Sequence, residues 1–205
     1  MTANGGLRRI ARSLRRLPER LLHPLRRRKA LGRLRGGSTP RSVLVVCHGN
    51  ICRSPYAAVL LGRELTRSAH GAIRIESAGF AGLGRPCPPV AVDVAAALGL
   101  DLSGHRSKQL TSATVSDADL IIVMDEAQAR ALHALFGCDL RDVLILGDLD
   151  PEPIETRVIQ DPVEQPKNVF KRCYSRINRC VSQLVQAVAE STERAAPQRQ
   201  PELTT

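Results

Sequence analysis

The chain has 205 residues, of which 43% are hydrophobic and only 2% aromatic, and its formal net charge is +10. This length suits one domain with a core of mainly Leu, Val, Ala and Ile, plus terminal tails. No apolar run approaches the length of a membrane span. Six cysteines without a secretory apolar segment favour reduced thiols in the cytoplasm over a disulfide scaffold.

The positive charge is concentrated at the start of the chain. Residues 1–41 hold 13 of the 30 basic residues but only one of the 20 acids, Glu19. The rest of the chain, with 17 basic and 19 acidic residues, is nearly neutral. We therefore expect no nucleic-acid binding by the folded domain, because its own surface lacks the excess positive charge that attracts a polyanion.

The pattern of residues 1–41 predicts a basic extension that is disordered or partly helical. Apolar residues recur every three or four positions among the arginines, as in an amphipathic helix: Leu7, Ile10, Leu14, Leu17 and Leu21. Pro18 and Pro24 are expected to break such a helix into short pieces. The pattern leaves three interpretations open: contact with an anionic membrane (the inner face, for a cytoplasmic protein) or an acidic partner, a targeting presequence, and a disordered leader or misplaced translation start.

The first predicted strand leads directly into a short loop and a helix. Residues 42–47 form an apolar, valine-rich run that is typical of a buried parallel strand. Ser54 suits a helix N-cap and Pro55 the first helical position, where its missing N–H costs nothing. The backbone N–H groups of the intervening loop and the positive end of the helix would form a nest for an anion the size of phosphate.

The side chains of this loop suit a phosphate-handling site. Cys47 would act as a thiolate nucleophile, and Arg53 would stabilise it and grip two phosphoryl oxygens. Gly49 would take a backbone angle that a Cβ forbids, and Asn50 would take a left-handed one. The hydroxyl of Ser54 could donate to the Cys47 sulfur. We expect this chemistry to need no metal ion or cofactor.

The same spacing of cysteine and arginine occurs once more, at Cys173 and Arg179. That stretch is charged, has a helical apolar pattern, and lacks both a glycine and a preceding strand. We therefore expect the second match to be coincidental and the first to be functional. A buried structural cysteine in an ordinary strand-to-helix turn remains the alternative for Cys47.

Helices and strands alternate along the rest of the chain. Further strands are predicted at 73–75, 119–124 and 143–146, and helices at 55–67, between Pro89 and Gly99, at 126–136 and at 166–189. The alternation is typical of an α/β fold with a parallel, doubly wound sheet and helices on both faces, which binds ligands at the carboxyl ends of its strands. We assign this domain to residues 42–190 and expect residues 191–205 to form a disordered tail.

The loop sequence from Cys47 to Pro55 resembles the signature Cys-x-Gly-Asn-x-Cys-Arg-Ser-Pro of the low-molecular-weight protein tyrosine phosphatases. The similarity runs from about residue 43 to 188 and includes, in family order, Ser77-Ala78-Gly79, Gly104-His105-Arg106, the strand over 120–125 and Asp161-Pro162. It implies a four-stranded flavodoxin-like sheet in the order 2-1-3-4. It also implies hydrolysis of a phosphotyrosine protein or a small aryl phosphate through a phosphocysteine. The residues expected to bind phosphate or support the loop are His48, Gly49, Asn50, Ile51, Cys52 and Ser54.

A general acid is the second requirement, because the leaving oxygen must gain a proton as its bond to phosphorus breaks. In the loop over residues 147–164, spacing alone leaves four candidates open: Asp148, Asp150, Glu152 and Asp161. The resemblance implies Asp161, since the acid of the family is the aspartate of an Asp-Pro pair at this position.

The resemblance also implies two supporting roles near the loop. Cys52 would capture an oxidised Cys47 as a disulfide, and His105 would support the loop asparagine, Asn50. From the residues alone, loop packing remains the alternative for Cys52, and an ordinary surface histidine remains the alternative for His105.

Two positions depart from the family pattern. Val163 follows the Asp-Pro pair where the family often has an aromatic residue that walls the substrate ring, and Phe80 is the candidate substitute. His48 stands where many members have an aliphatic residue or threonine. Both positions are expected at the mouth of the pocket. They therefore bear on the preference for phosphotyrosine and not on the hydrolysis of the phosphate ester.

Two alternative functions remain open at this point. One is thiol-coupled arsenate reduction, which uses the same loop with two further cysteines; those available are Cys87, Cys138, Cys173 and Cys180. None of them stands in an evident shuttle motif. The other is a non-catalytic phosphate-binding interaction module, which an intact set of nucleophile, arginine and acid argues against.

Overall fold

The computed structural model describes residues 3–68 and 73–195, with side chains from Glu19 onward. Within these residues, four parallel strands form one sheet: β1 (Ser42–Cys47), β2 (Arg74–Gly79), β3 (Leu120–Val123) and β4 (Val143–Ile145). The strand order is β2-β1-β3-β4. The predicted flavodoxin-like α/β fold with the order 2-1-3-4 is therefore confirmed.

The helices of the described residues connect and cover these strands. They are α1 (Ala3–Gly36), α2 (Arg53–Arg67), α3 (Pro89–Ala96), α4 (Ser112–Ser116), α5 (Glu126–Phe136) and α6 (Lys167–Ala195), with a short 3-10 helix over Leu146–Leu149. The sequence pattern did not predict α4. Helix α6 continues to Ala195, beyond the point where a tail was expected, and residues 196–205 lie outside the described part of the chain.

Alternate side chains of each central strand pack into two separate apolar layers. In β1, Val43, Val45 and Cys47 face a core that includes α2, α3, α6 and part of α1. Leu44 and Val46 face the opposite core, which includes α5. Burial on both faces explains the continuous apolar run of β1, and it places helices on both faces as predicted.

The ends of the central strands converge on the edge of the sheet that carries the candidate loop. All strands are parallel, so the carboxyl ends of β1 and β3 lie side by side. The chain leaves β1 at Cys47, while Ile159 N donates to Met124 O, just beyond β3, at 2.9 Å. This bond brings the segment before Asp161 to the same edge as Cys47, although the two are far apart in sequence.

Helix α1 runs without interruption through Pro18 and Pro24, so the expected break at these prolines is wrong. Pro24 is exposed, so its ring does not disturb the packing of α1 against the core. Ala30 and Leu31 are buried in the core, so tertiary packing stabilises the helix beyond its local propensity. Of the predicted apolar stripe, Leu21 is 70% exposed, and the other members lie outside the described side chains.

Polar contacts fix the second half of α1 to the domain. His23 is buried, and its Nε2 lies 2.9 Å from Asp150 O. Arg27 donates to Gln183, and Arg35 pairs with Glu190 at 2.6 Å, both on α6. Among the described residues, no helix has both the length and the apolar character needed to cross a membrane.

Candidate active site

The loop after β1 brings the predicted nucleophile next to a hydroxyl group. Cys47 is 2% exposed, and its Sγ lies 3.0 Å from Ser54 Oγ. Helix α2 begins at Arg53 with Cys52 as the N-cap residue, and no side chain caps it, so the prediction of Ser54 as N-cap is wrong. The Ser54 hydroxyl instead contacts Cys47 and Asn50.

Asn50 holds the loop together through its side-chain amide. Its Nδ2 donates to Ser54 Oγ at 2.8 Å and to Ser77 Oγ at 2.9 Å. Its Oδ1 accepts from Lys108 N at 2.8 Å. Because Ser54 Oγ accepts a hydrogen bond from Asn50, its own hydrogen is free to donate to the sulfur of Cys47.

His105 lies behind the same asparagine. Its Nε2 is 2.8 Å from the backbone oxygen of Asn50, so the contact that the family resemblance implied is present. A carbonyl oxygen only accepts, which requires the hydrogen of the ring to be on Nε2. Burial lowers the pKa of His105, although the hydrogen bond to Asn50 opposes this, so the imidazole is neutral at pH 7.

The left-handed backbone angle falls on Asn50, with φ of 49°, and not on Gly49. A Cβ at Gly49 would make only ordinary contact with Ile51, at 3.5 Å, so the predicted reason for this glycine is wrong. The glycine beside this loop that has no room for a Cβ is Gly79, at the end of β2. A Cβ there would lie 2.7 Å from His48 O and 2.8 Å from Asn50 N.

We expect the substitution Gly79→Ala to lower kcat/KM by about 10–100-fold, because the loop backbone must shift to admit the new methyl group. The matched control is Gly62→Ala, inside α2, where the nearest atom to the new Cβ is Ile75 Cδ1 at 3.8 Å. The control should keep its activity and gain about 0.5–1 kcal/mol in the free energy of unfolding. Steady-state kinetics and denaturant unfolding of both variants measure this, and equal activities would contradict it.

Arg53 links the loop to the segment that carries the candidate acid. It is 4% exposed, and its Nη1 donates to Ile159 O at 3.1 Å. Its Nη2 forms an ion pair with Oδ2 of Asp161, whose side chain is 43% exposed. Within the described residues, the buried Nε of Arg53 has no hydrogen-bond partner. The guanidinium thus retains a donor that a phosphate oxygen can use.

The other acidic candidates from the sequence are engaged elsewhere. Asp150 is fully buried and accepts from Arg176 at 2.9 Å and from Arg179 at 3.0 Å. Burial opposes its ionisation, but the hydrogen bond from Arg179 and the further partners hold the pKa of Asp150 below its usual value. Asp148 pairs with Arg157, and Glu152 pairs with Arg179 at 3.1 Å. Only Asp161 contacts the loop arginine.

A cleft of about 560 Å³ opens at this site. Its lining comes from the loop, from the start of α5 and from the segment around Asp161: His48, Arg53, Phe80, Asp125, Ala127, Gln128, Ala131, Val158 and Asp161. Phe80 therefore lines the same cleft as Arg53 and Asp161. Val163 is half-buried and packs against the core instead.

Two tyrosines support the loop from beneath, and the sequence pattern gave no indication of this role. Tyr174 donates to Cys52 O at 3.3 Å, and its ring stacks on Tyr56 with a centroid distance of 3.7 Å. Cys52 is 1% exposed, and burial raises the pKa of its thiol. Two tyrosines, one at the start of α2 and one on α6, are a weak sequence signal, because only the tertiary fold brings them together.

The second match to the cysteine–arginine spacing, Cys173 and Arg179, lies within helix α6 and forms no loop. Cys173 is buried on α6, and Arg179, one and a half turns later on the same helix, pairs with Asp150. A helix interior directs its N–H groups along its own axis, so it offers no anion nest there.

Comparison with known proteins agrees with this geometry. Residues 42–194 match the model of the low molecular weight phosphotyrosine protein phosphatase family. EpsP of Ralstonia nicotianae, a probable low molecular weight protein-tyrosine-phosphatase, is 39% identical over 142 residues, which are 69% of this chain and 91% of that protein.

Two solved structures are similar in fold and in sequence. The tyrosine phosphatase AmsI of Erwinia amylovora superposes with a TM-score of 0.66 at 30% identity, covering 74% of this chain and 95% of that one. Wzb of Vibrio vulnificus, solved in complex with benzylphosphonate, superposes with a TM-score of 0.63 at 31% identity, covering 72% and 98%. The family match and these similarities show that the chain belongs to the low molecular weight protein-tyrosine phosphatases.

Proposed function

We propose that this phosphatase hydrolyses phosphotyrosine and related aryl phosphate monoesters through a phosphocysteine intermediate on Cys47. The observation that carries the proposal is the ion pair between Arg53 and Asp161, which joins the phosphate loop to an acid 108 residues later. The hydrogen bond between Cys47 and Ser54 supports the role of Cys47 as nucleophile.

In the first step, the thiolate of Cys47 attacks phosphorus in line with the ester oxygen, and the bond to that oxygen breaks. The phosphate of the substrate binds the guanidinium of Arg53 and displaces Asp161 from it. The freed carboxylate takes up a proton from water and then donates that proton to the leaving oxygen. The N–H groups of the loop and Arg53 stabilise the equatorial oxygens throughout. No metal ion takes part in this proposal.

In the second step, water attacks the phosphocysteine. Asp161 now accepts a proton from that water, the bond between sulfur and phosphorus breaks, and phosphate leaves. Cys47 departs as a thiolate that the hydroxyl of Ser54 stabilises. In this proposal Asn50 orients that hydroxyl, and His105 fixes the backbone of Asn50.

For substrate class, we favour an aromatic leaving group. Phe80 and His48 line the cleft beside Arg53 and Asp161, so they take the place of the aromatic residue that Val163 replaces. The relative from Vibrio vulnificus binds benzylphosphonate, which carries an aromatic ring one carbon from phosphorus. This supports phosphotyrosine over small aliphatic phosphates.

The environment of the remaining thiols favours hydrolysis over arsenate reduction. A disulfide shuttle needs accessible thiolates. Burial raises the pKa of Cys173 and of Cys180 to about 12, so both remain protonated. Burial likewise raises the pKa of Cys87, to about 11. We retain a narrower redox role for Cys52. Burial raises the pKa of its thiol as well, but Cys52 lies in the same loop as Cys47, and this proximity offsets its low thiolate fraction. A Cys47 sulfenic acid, formed by peroxide, would condense with the Cys52 thiol to a disulfide and water.

The test is a quenched-flow experiment with a ³²P-labelled aryl phosphate, alongside thioredoxin-linked arsenate turnover. We expect acid-stable label on the protein within the first turnover and no arsenate-dependent oxidation of thioredoxin. Label that is absent during active turnover would contradict the phosphocysteine. Arsenate turnover that depends on Cys87 or Cys138 would establish the alternative.

For location and partners, we propose a cytoplasmic protein in which residues 1–41 contact an anionic membrane, at its inner face, or an acidic partner. The extension precedes the region that the family model matches. Its excess of basic residues supports an anionic surface as the target.

A further inference from the structure

A basic groove of about 590 Å³ lies between α1 and the residues that follow the 3-10 helix, 151–153. Four arginines and a histidine line it, against one acid, Glu152, which is already paired with Arg179. Within the described chain, Arg20 and Arg28 of this groove have no acidic partner. The groove therefore carries uncompensated positive charge.

A buried donor without a partner distinguishes this groove from an ordinary charged surface. Within the described residues, the buried Nε of Arg27 has no hydrogen-bond partner, and Arg27 lines the groove. The neighbouring Arg35 is engaged, because its Nε pairs with Glu190 at 2.6 Å. Since buried donors are nearly always paired, Nε of Arg27 can donate to an anion that enters the groove.

Beside the groove, α1 exposes a cluster of leucines, and such clusters are uncommon on the surfaces of soluble proteins. Leu21, Leu22 and Leu25 are 70%, 42% and 66% exposed. They are three of the nine large exposed apolar residues in the described part of the chain, and they fall within about one turn. At about 100° per residue, Arg28 lies at the edge of the face that these leucines form, next to Leu21, and Lys29 lies within the face, between Leu25 and Leu22.

We propose, as a deepening of the partner proposal above, that α1 is a binding site for anionic phospholipid. Leu21, Leu22 and Leu25 enter the boundary between headgroups and acyl chains, and a headgroup phosphate enters the groove. Arg20, Arg28 and the free donor of Arg27 bind that phosphate.

Lipid fits both features better than the other sources of negative charge. An acidic protein could pair with the arginines through charge, but that pairing would not explain why leucines are exposed on the same helix. Free phosphate fits the groove but leaves the leucines in water. Only an anionic bilayer offers phosphate groups and an apolar layer within the width of one helix.

The test is flotation of the full chain with vesicles of phosphatidylcholine, with and without phosphatidylglycerol. We expect binding to the anionic vesicles only. The double variant Leu21→Ser/Leu25→Ser should bind at least about tenfold more weakly. The variant Arg28→Gln should lose about fivefold, and this loss should vanish at high salt.

Matched controls separate this site from general surface effects. Leu135→Ser removes an equally exposed leucine, 67%, from α5, and Lys171→Gln removes an exposed charge from α6. Both should bind vesicles as the wild type does. All variants should hydrolyse p-nitrophenyl phosphate at the wild-type rate, so a failure of lipid binding is distinguishable from a failure of the proposed chemistry.

Three results would overturn the proposal. The first is an active protein that does not float with anionic vesicles. The second is unchanged binding by the double leucine variant, which would indicate an acidic partner held by charge alone. The third is release from vesicles by inorganic phosphate but not by chloride of equal ionic strength, which would assign the groove to free phosphate.

Discussion

Cys47→Ser is expected to abolish ester hydrolysis, with a loss on the order of 10⁴–10⁶-fold. A serine hydroxyl loses its proton far less readily than a thiol does, so serine is a much weaker nucleophile at this position. In the proposed site, backbone N–H groups and Arg53 bind the phosphate, so the variant should still bind inorganic phosphate. Hydrolysis of p-nitrophenyl phosphate and titration calorimetry with phosphate measure the two properties.

The matched control for this variant is Cys138→Ser. Cys138 is half-buried and packs against the core on the other face of the sheet. Its replacement should leave the rate within about twofold of the wild type, as for most substitutions away from a site. Substantial activity in Cys47→Ser would remove this residue from the role of nucleophile. Equal losses in both variants would point to unfolding rather than to chemistry.

Asp161→Asn should reduce the rate by about 10²–10⁴-fold for phenyl phosphate, whose leaving group needs a proton. The loss should be much smaller for p-nitrophenyl phosphate, because its phenolate leaves unassisted. The variant should also bind phosphate more tightly, since the carboxylate no longer competes for Arg53. Rates for a series of leaving groups and inhibition by phosphate measure both effects.

Glu152→Gln provides the comparison for the acid. Sequence spacing alone left Glu152 as a candidate, yet its side chain is 59% exposed and pairs with Arg179. This variant should change the rate by less than about twofold for either ester. A steep dependence on the leaving group in Glu152→Gln, with none in Asp161→Asn, would transfer the role of acid to Glu152.

Helix α1 shows which features of a helix the local sequence pattern predicts and which it does not. Its apolar spacing predicted a helical pattern, and its prolines predicted breaks. The helix is continuous because Ala30 and Leu31 are buried against the domain and His23 contacts Asp150 O. These contacts join segments more than 100 residues apart, and the periodicity of α1 contains no information about them.

The sequence by itself determined the fold class and the strand, loop and helix around Cys47, with Cys47 and Arg53 at the two ends of the loop. These features are contiguous in the chain, so the apolar period and the loop residues are sufficient to specify them. The sequence also limited the acid to one long loop, but the local pattern did not select among its carboxylates.

Only the tertiary structure decided which carboxylate meets the loop and which glycine beside the loop has no room for a side chain. Asp161 contacts Arg53 because the acid segment is tied to the end of β3, while the buried Asp150 is neutralised by arginines of α6. Gly79 is tight because β2 lies beside β1 and ends against the loop. The physical reason is the same in each case: strand pairing and helix packing bring distant side chains within bonding distance, and residue spacing along the chain does not encode those distances.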